Sequence, residues 1–86
     1  MRYYHGTSVE RADSIMTTGL RPASGIGAAT ASTMRTQAEQ YGQAVISFDL
    51  PDDNRYGYSA PDIDDYAVSL FVVTRKVPTY HLTRVK

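Results

Sequence analysis

The chain has 86 residues, nine Lys plus Arg against nine Asp plus Glu, and no cysteine. These values predict one small domain spanning residues 1–86, disfavour bulk binding to nucleic acid, and exclude disulfides, a thiolate nucleophile and sulfur-bound zinc. Because the sequence shows no signal-like or membrane-length apolar run, we expect a cytoplasmic protein that makes no membrane contact.

The first predicted elements are a short strand and a helix. Residues 2–5 are aromatic and β-prone, which is typical of a strand. Thr7 stands three residues before Glu10, the spacing of a capping box, so we expect Thr7 to cap the helix. Gly19 is predicted to end the helix as a left-handed cap, with Leu20 folding back as an apolar contact. The buried face of this helix is predicted to carry Ala12, Ile15 and Met16.

The rest of the chain predicts a second helix between further strands. Small residues fill 23–32, which indicates a loop, and a helix is predicted from 33 to 42. Residues 44–50 alternate as a strand with one buried face that carries Ile46, Phe48 and Leu50. An exposed loop and two strands follow, at 52–65, 66–74 and 80–85. The predicted fold class is α+β, a small and mostly antiparallel β-sheet with two short helices.

His5 and Gly6 end the first strand directly ahead of a helix N-terminus. This arrangement can offer an imidazole, a bare main chain and an electropositive helix end to one polar ligand. A structural alternative is a histidine whose bonds are satisfied at the strand end, with Gly6 serving only the turn. Tyr41 has two readings as well, because a helical tyrosine beside Met34 and Ala38 is more often part of the core than the wall of a ligand site.

Several segments of the sequence resemble the ADP-ribosyltransferase superfamily. The most specific are Tyr4-His5-Gly6-Thr7 and Gly19-Leu20-Arg21-Pro22; weaker likenesses are Ala38 to Gly42, Val45-Ile46-Ser47-Phe48 and the closing residues from Phe71 to Leu82. The nearest likeness is to the RNA 2'-phosphotransferases and to the His-Tyr-Glu type transferases. The resemblance implies an ADP-ribosyltransferase-like fold that uses NAD as its substrate or ligand.

The same resemblance implies roles for individual residues. The motif histidine, His5, is expected to bond a ribose hydroxyl of NAD, and the main chain of Gly6 is expected to pair with the nicotinamide carboxamide. Thr7 completes the motif, although as the expected helix cap its hydroxyl would be engaged by helix amides. Tyr41 lies where an aromatic ring stacks on the nicotinamide, and a phenol face suits a flat cation.

Two positions depart from the family pattern. Ala29 and Thr30 stand where the His-Tyr-Glu pattern has its first tyrosine, and Ser69 and Leu70 stand where it has its glutamate. The transition state of ADP-ribosyl transfer needs a carboxylate, because positive charge develops on the ribose carbon. The sequence offers replacements in the predicted loop before the late strand, at Asp62, Asp64 and Asp65, although a solvated loop explains those residues equally well.

The departures leave more than one class of function open. The first is an NAD-dependent ADP-ribosyltransferase that acts on an unidentified macromolecular or small acceptor. The second is a catalytically inactive member of the fold that binds a nucleotide or a protein, as an inhibitory module would. A third is a purely structural interaction protein with no affinity for NAD. Direct removal of an RNA 2'-phosphate is disfavoured, since the further arginines and the histidine of that branch are missing and Arg21 alone does not replace them.

Overall fold

The computed structural model describes residues 1–22, 29–50, 55–61 and 69–86. Strands and helices alternate along the first half of the chain, and strands dominate the second. In chain order the elements are β1 Arg2–Thr7, α1 Val9–Thr18, β2 Thr30–Ser32, α2 Arg35–Ala38, a 3-10 helix Glu39–Tyr41, β3 Ala44–Asp49, β4 Gly57–Pro61, β5 Ser69–Val73, a second 3-10 helix Thr79–His81 and β6 Leu82–Arg84.

The strands of the described residues form one sheet in the order β4-β5-β2-β1-β3-β6. Every neighbouring pair is antiparallel. The predicted fold class is confirmed at this level, as an α+β arrangement of one antiparallel sheet with two short α-helices. Among the residues described, no helix has the length and apolar character needed to cross a lipid bilayer.

The core lies between one face of the sheet and α1. Three aromatic rings form its centre, with the Tyr3 and Phe71 rings stacked 4.4 Å apart and Phe48 packed beside both. The predicted helix face is confirmed, because Ala12 is buried and both Ile15 and Met16 pack against the cluster. Burial of these side chains is the main source of stability in a domain of this size.

Strand β3 is covered on both faces, which corrects the prediction of a single buried face. Ile46, Phe48 and Leu50 enter the core as predicted. Val45 and Ser47 on the other face are buried as well. Helix α2 covers this second face, since Val45 lies opposite Gly6 and the end of α2 packs directly on Gly6. The C-terminal residues extend the sheet beside β3, where both the N–H and the carbonyl of Val45 bond to the chain at Val85 and Lys86.

Helix α1 begins one residue later than the capping box indicates. Thr7 belongs to β1, where it pairs with Ala44 of β3. The cap is Ser8, whose hydroxyl oxygen accepts the N–H of Arg11 at 3.2 Å. The prediction that Thr7 caps the helix is therefore wrong, because strand pairing with β3 carries the extended backbone through Thr7. At the C-terminal end of α1, Gly19 has the predicted positive φ, 98°, and its N–H donates to the carbonyl of Ile15.

Strand pairing also replaces two stretches of predicted loop. Residues 30–32 form β2, and residues 57–61 form β4. Neither stretch has a strong strand pattern of its own, and each is extended because it pairs with β5. The predicted helix at 33–42 is shorter than expected, since α2 has four residues and continues as the 3-10 helix up to Gly42.

Candidate functional site

The sheet opens between β1 and β2. Strand β1 pairs with β3 at six positions but with β2 only at Tyr4 opposite Ser32. Beyond that pair lies a cleft of about 640 Å³, which we call the β1–β2 cleft. Its volume falls in the range of about 300–1,000 Å³ that is typical of small-molecule sites. Its lining comes from the end of β1, the inner face of α1, residues 19–21, β2 and the end of α2.

His5 spans the opening with its side chain. The Nδ1 atom of the ring lies 2.7 Å from the carbonyl oxygen of Thr30. A carbonyl oxygen only accepts, so Nδ1 carries the proton, and in the neutral ring the other nitrogen, Nε2, is an acceptor. Burial lowers the pKa of His5 below its ordinary 6.5, the nearby charge of Arg11 lowers it further, and the bond to Thr30 opposes both. The ring is therefore neutral at pH 7.

The main chain of Gly6 faces the cleft side of β1. Gly6 is opposite Val45 in the β1–β3 register, but both main-chain groups of Val45 bond to the C-terminal residues instead. The pair is thus of the non-hydrogen-bonded kind, in which both residues direct their N–H and C=O away from each other. Gly6 consequently directs its donor and acceptor toward β2, where strand pairing has ended. One N–H and one C=O side by side form a docking edge for a planar amide.

The packing of α2 against β1 requires a glycine at position 6. A Cβ built on Gly6 would overlap the carbonyl oxygen of Ala38. The last turn of α2 therefore lies directly against the β1 backbone, and no other residue fits there. The sequence suggested that a ligand requires this glycine, and the packing of α2 provides a second reason that holds without a ligand.

Thr7 contributes a buried hydroxyl to the lining. The residue is only 7% exposed and lines the cleft, and no hydrogen bond joins its hydroxyl to another described residue. A ligand atom in the cleft could therefore bond this hydroxyl without displacing a described protein partner. Because Ser8 caps α1, the hydroxyl is available to a ligand, contrary to the expectation from the capping box.

Tyr41 stands at the mouth of the cleft. The residue is 63% exposed and is among the residues that line the cleft. The alternative in which Tyr41 belongs to the core is therefore wrong. Ala29 and Thr30 also line the cleft, where the resembled pattern has its first tyrosine; Tyr4 and Tyr41 are the two tyrosines among the described lining residues.

Two guanidinium groups give the cleft a positive charge. Arg11 on α1 and Arg21 after it both line the cleft, and neither forms an ion pair with any residue that the structure describes. No Asp or Glu occurs among the described lining residues. An anionic ligand is thus favoured over a cationic one. Arg11 was not predicted as a site residue, although its position one turn into the helix after His5-Gly6-Thr7 indicates that it faces the same site.

The predicted residues divide into two groups by location. His5, Gly6, Thr7 and Tyr41 all line the same cleft, as predicted for one site. The three predicted carboxylates, Asp62, Asp64 and Asp65, lie outside the described residues. Leu70, one of the two residues that stand where the resembled pattern has its glutamate, lines the cleft as an apolar residue. Comparisons with protein-family models, curated proteins and solved structures find no match to the chain.

Proposed function

We propose that the chain binds NAD in the β1–β2 cleft and transfers ADP-ribose from it, as an ADP-ribosyltransferase-like protein. The observation that carries the proposal is the adjacent placement of two groups. His5 presents a neutral ring whose free nitrogen is an acceptor, and Gly6 presents an unshared main-chain edge beside it. A hydroxyl of the nicotinamide ribose and the carboxamide of the nicotinamide ring attached to that ribose match these two groups.

The nicotinamide end of NAD fits the inner part of the cleft. Its carboxamide has a carbonyl and an N–H, which complement the N–H and C=O of Gly6 in a two-bond pair. The neighbouring ribose would then place a hydroxyl at Nε2 of His5, which accepts it while Nδ1 stays on Thr30. The exposed ring of Tyr41 provides a face for the positively charged pyridinium ring.

The phosphates fit the charged wall of the cleft. Arg11 and Arg21 supply two cations with no described acid beside them. Ser8 also lines the cleft at the start of the ten-residue helix α1, where main-chain N–H groups favour an anion. ADP-ribose should therefore retain much of the affinity, and nicotinamide alone should bind weakly.

The transfer step breaks the bond between the ribose anomeric carbon and the nicotinamide nitrogen. The bonding electron pair leaves with nicotinamide and neutralises its ring. The acceptor atom then forms a bond to the anomeric carbon, and the acceptor atom loses its proton to solvent. A fixed carboxylate stabilises the positive charge that develops on the sugar. We assign that role to the group Asp62, Asp64 and Asp65. If their joint replacement by asparagine left transfer unchanged, this assignment would be wrong.

The apolar Leu70 favours a second candidate function. Together with Ser69 it stands where the resembled pattern has its glutamate, and the described lining contains no acid. A domain with this lining could bind NAD or ADP-ribose without cleaving it, and act on a partner protein as an inhibitory module. The two functions differ in turnover and not in binding, so the binding assay and the chemical assay must be separate.

A thermal-shift measurement tests the shared step of both functions. Wild-type protein is melted with millimolar NAD, ADP-ribose or nicotinamide, beside His5→Ala and the control Thr83→Ala on the exposed edge strand β6. At a ligand concentration of one hundred times Kd, binding adds about 2.7 kcal/mol, which raises the melting temperature by about 10–20 °C. The rise should persist in Thr83→Ala and disappear in His5→Ala. No rise with any ligand would contradict both functions and favour a structural interaction protein.

A further inference from the structure

The two α-helices lie on opposite faces of the sheet. Helix α1 packs on the face that carries the Tyr3 ring, since Ala12 belongs to the same buried cluster and Ile15 packs against it. Helix α2 packs on the other face, because a Cβ on Gly6 would meet the carbonyl of Ala38. Side chains of alternate residues in a strand point to opposite faces, so Tyr3 and Gly6 mark the two faces of β1.

Both helices nevertheless line the same β1–β2 cleft. Ser8 and Arg11 line it from the start of α1, while Ala38 and Tyr41 line it from α2 and the 3-10 helix that continues α2. Strands β1 and β2 occupy the middle of the strand order, so the cleft is an opening inside the sheet and not at its edge. The cleft therefore passes between the two strands from one face of the sheet to the other. We call its two halves the α1 side and the α2 side.

The two sides differ in the chemistry of their described lining residues. On the α1 side, Arg11 provides a guanidinium, and Ser14 and Thr18 provide hydroxyls along the same helix. The strand residues of the α2 side alternate with residues whose side chains are in the core, such as Tyr3 and Phe71. All the described side chains that line the α2 side are uncharged, namely those of Tyr4, Thr30, Ser32, Leu70, Ala38 and Tyr41.

Described residues on both sides of the cleft are exposed to solvent. Arg11, Ser14 and Thr18 are exposed on the α1 side. On the α2 side, Tyr41 is exposed and Leu70 is partly exposed. Each side therefore has its own opening to solvent in the described structure.

We propose that the cleft binds two small molecules at once, one on each side. The α2 side takes a flat, uncharged aromatic carboxamide, whose amide bonds the main-chain edge of Gly6 and whose ring packs against Tyr41 and Leu70. The α1 side takes the phosphates and sugar of a nucleotide, which suit the guanidinium of Arg11 and the nearby hydroxyls. The inference rests on the proposed function, because it divides one cleft between the two halves of NAD.

Separate openings determine how the products of transfer leave. Nicotinamide would leave and re-enter through the α2 face while the ADP-ribosyl part is still held on the α1 side. In a cleft with a single opening, by contrast, the outer ligand must leave before the inner one. Free nicotinamide should therefore bind equally well whether or not a nucleotide fills the α1 side.

Two-dimensional ¹H–¹⁵N NMR of the folded, labelled protein measures the two ligands separately. The probe for the α2 side is nicotinamide, with benzoate as a control that has a flat ring but no amide N–H. The probe for the α1 side is ADP, which lacks the second ribose of NAD and so does not crowd the amide. Nicotinamide is titrated without and with saturating ADP, and NAD is then added to each complex.

The two probes should affect different residues and should not compete. Nicotinamide should shift the amide signals of Gly6, Tyr41 and Leu70, and ADP should shift those of Arg11 and Ser14. Saturating ADP should change the Kd of nicotinamide by less than about twofold. NAD should displace both probes.

A substitution on the α2 side should affect only one of the two probes. Tyr41→Ala should weaken nicotinamide by about three- to tenfold and leave the Kd of ADP unchanged, because it removes a ring from the α2 side alone. Its control is Tyr80→Ala, an exposed tyrosine that is not among the described lining residues, which should change neither Kd. The dispersion of the NMR signals shows whether each variant is folded.

Three results would overturn this inference while leaving the proposed function intact. The first is competition, in which the apparent Kd of nicotinamide rises in proportion to the ADP concentration while NAD still binds. The second is an absence of nicotinamide binding up to about 50 mM in a protein that binds NAD. The third is equal binding of benzoate, which would show that the amide is not recognised. Absence of NAD binding would instead contradict the proposed function and this inference together, so the two failures are distinguishable.

Discussion

The Nδ1 atom of His5 lies 2.7 Å from the carbonyl oxygen of Thr30, at the point where β1 and β2 stop pairing. In a continued ladder that carbonyl would face Gly6, whose main chain points toward β2. The imidazole takes its place as donor. One bond therefore joins the two strands across the opening, fixes the tautomer of His5 and leaves Gly6 available to a ligand.

Substitution of His5 by asparagine or by glutamine tests the roles of its two ring nitrogens separately. In His5→Asn the amide nitrogen lies near the position of Nδ1 and can keep the bond to Thr30, but nothing replaces Nε2. We expect a free energy of unfolding within about 1 kcal/mol of wild type and a loss of NAD binding by calorimetry. His5→Gln extends toward the position of Nε2, so it should lose stability and retain part of the affinity. Wild-type affinity in His5→Asn would show that Nε2 does not contact the ligand.

Stability should fall on mild acidification because of His5. Burial lowers its pKa in the folded state below 6.5. As the pH falls through 6.5, the unfolded chain takes up a proton that the folded protein does not, and unfolding becomes more favourable. The free energy of unfolding should decrease by up to about 1.4 kcal/mol per pH unit between 6.5 and the folded pKa, and should not depend on His5 above that window. Urea titrations from about pH 5 to about pH 7.5 measure it, and His5→Asn should flatten the profile. Identical profiles for the two proteins would contradict a buried neutral histidine.

Local sequence patterns predicted the features that depend only on residues close together in the sequence. The face of α1 with Ala12 and Ile15, the stop at Gly19 and the inward residues of β3 follow from periodicity and from glycine, and the structure confirms them. Strands β2 and β4 follow from neither, since a three-residue strand such as Thr30–Ser32 is extended only because β5 and β1 are beside it. Non-local pairing of this kind leaves no pattern in one short stretch of sequence.

Part of the residue set of the candidate site could be predicted from the sequence, but the packing that places these residues could not. His5, Gly6, Thr7 and Tyr41 line one cleft as expected. The cap at Ser8 shifted the boundary between strand and helix by one residue, which released Thr7. The contact between Gly6 and Ala38 joins residues 32 positions apart. Such a contact depends on how α2 packs on β1, and a single sequence carries no signal for it.

Gly6→Ala should destabilise the fold before it affects any ligand. The added methyl group would overlap the Ala38 carbonyl, and main-chain atoms cannot move aside as a flexible side chain can. We expect a loss of about 1–3 kcal/mol in the free energy of unfolding, measured in urea without NAD. A valine at this position would be worse, so it is unsuitable as a test of ligand blocking alone. Unchanged stability in Gly6→Ala would mean that α2 lies farther from β1 than the structure places it.

Arg11 and Arg21 should contribute to affinity through charge. Arg11→Gln and Arg21→Gln each remove a cation that has no described ion-pair partner, so we expect little change in stability, within about 0.5 kcal/mol. Each should weaken ADP-ribose by about tenfold and leave the weak binding of nicotinamide unchanged. Arg35→Gln is a control for affinity alone, because Arg35 is not among the lining residues but pairs with Glu39 and donates to the Val85 carbonyl. Equal loss of nicotinamide and ADP-ribose would place the phosphates elsewhere.

Substitutions of Thr7 are expected to affect protein stability and NAD affinity in opposite directions. Valine has the shape of threonine without the hydroxyl, and the Thr7 hydroxyl is buried without a hydrogen bond in the described structure. Thr7→Val should therefore match or exceed wild type in its free energy of unfolding, by up to about 1 kcal/mol, because a buried polar group is removed at constant volume. NAD affinity should fall by about fivefold or more in the same variant, while Thr7→Ser keeps the hydroxyl and much of the affinity. Urea unfolding and calorimetry on the three proteins give both quantities. A destabilised Thr7→Val would show instead that the hydroxyl has a structural partner within the protein, and that its place in the cleft serves the fold.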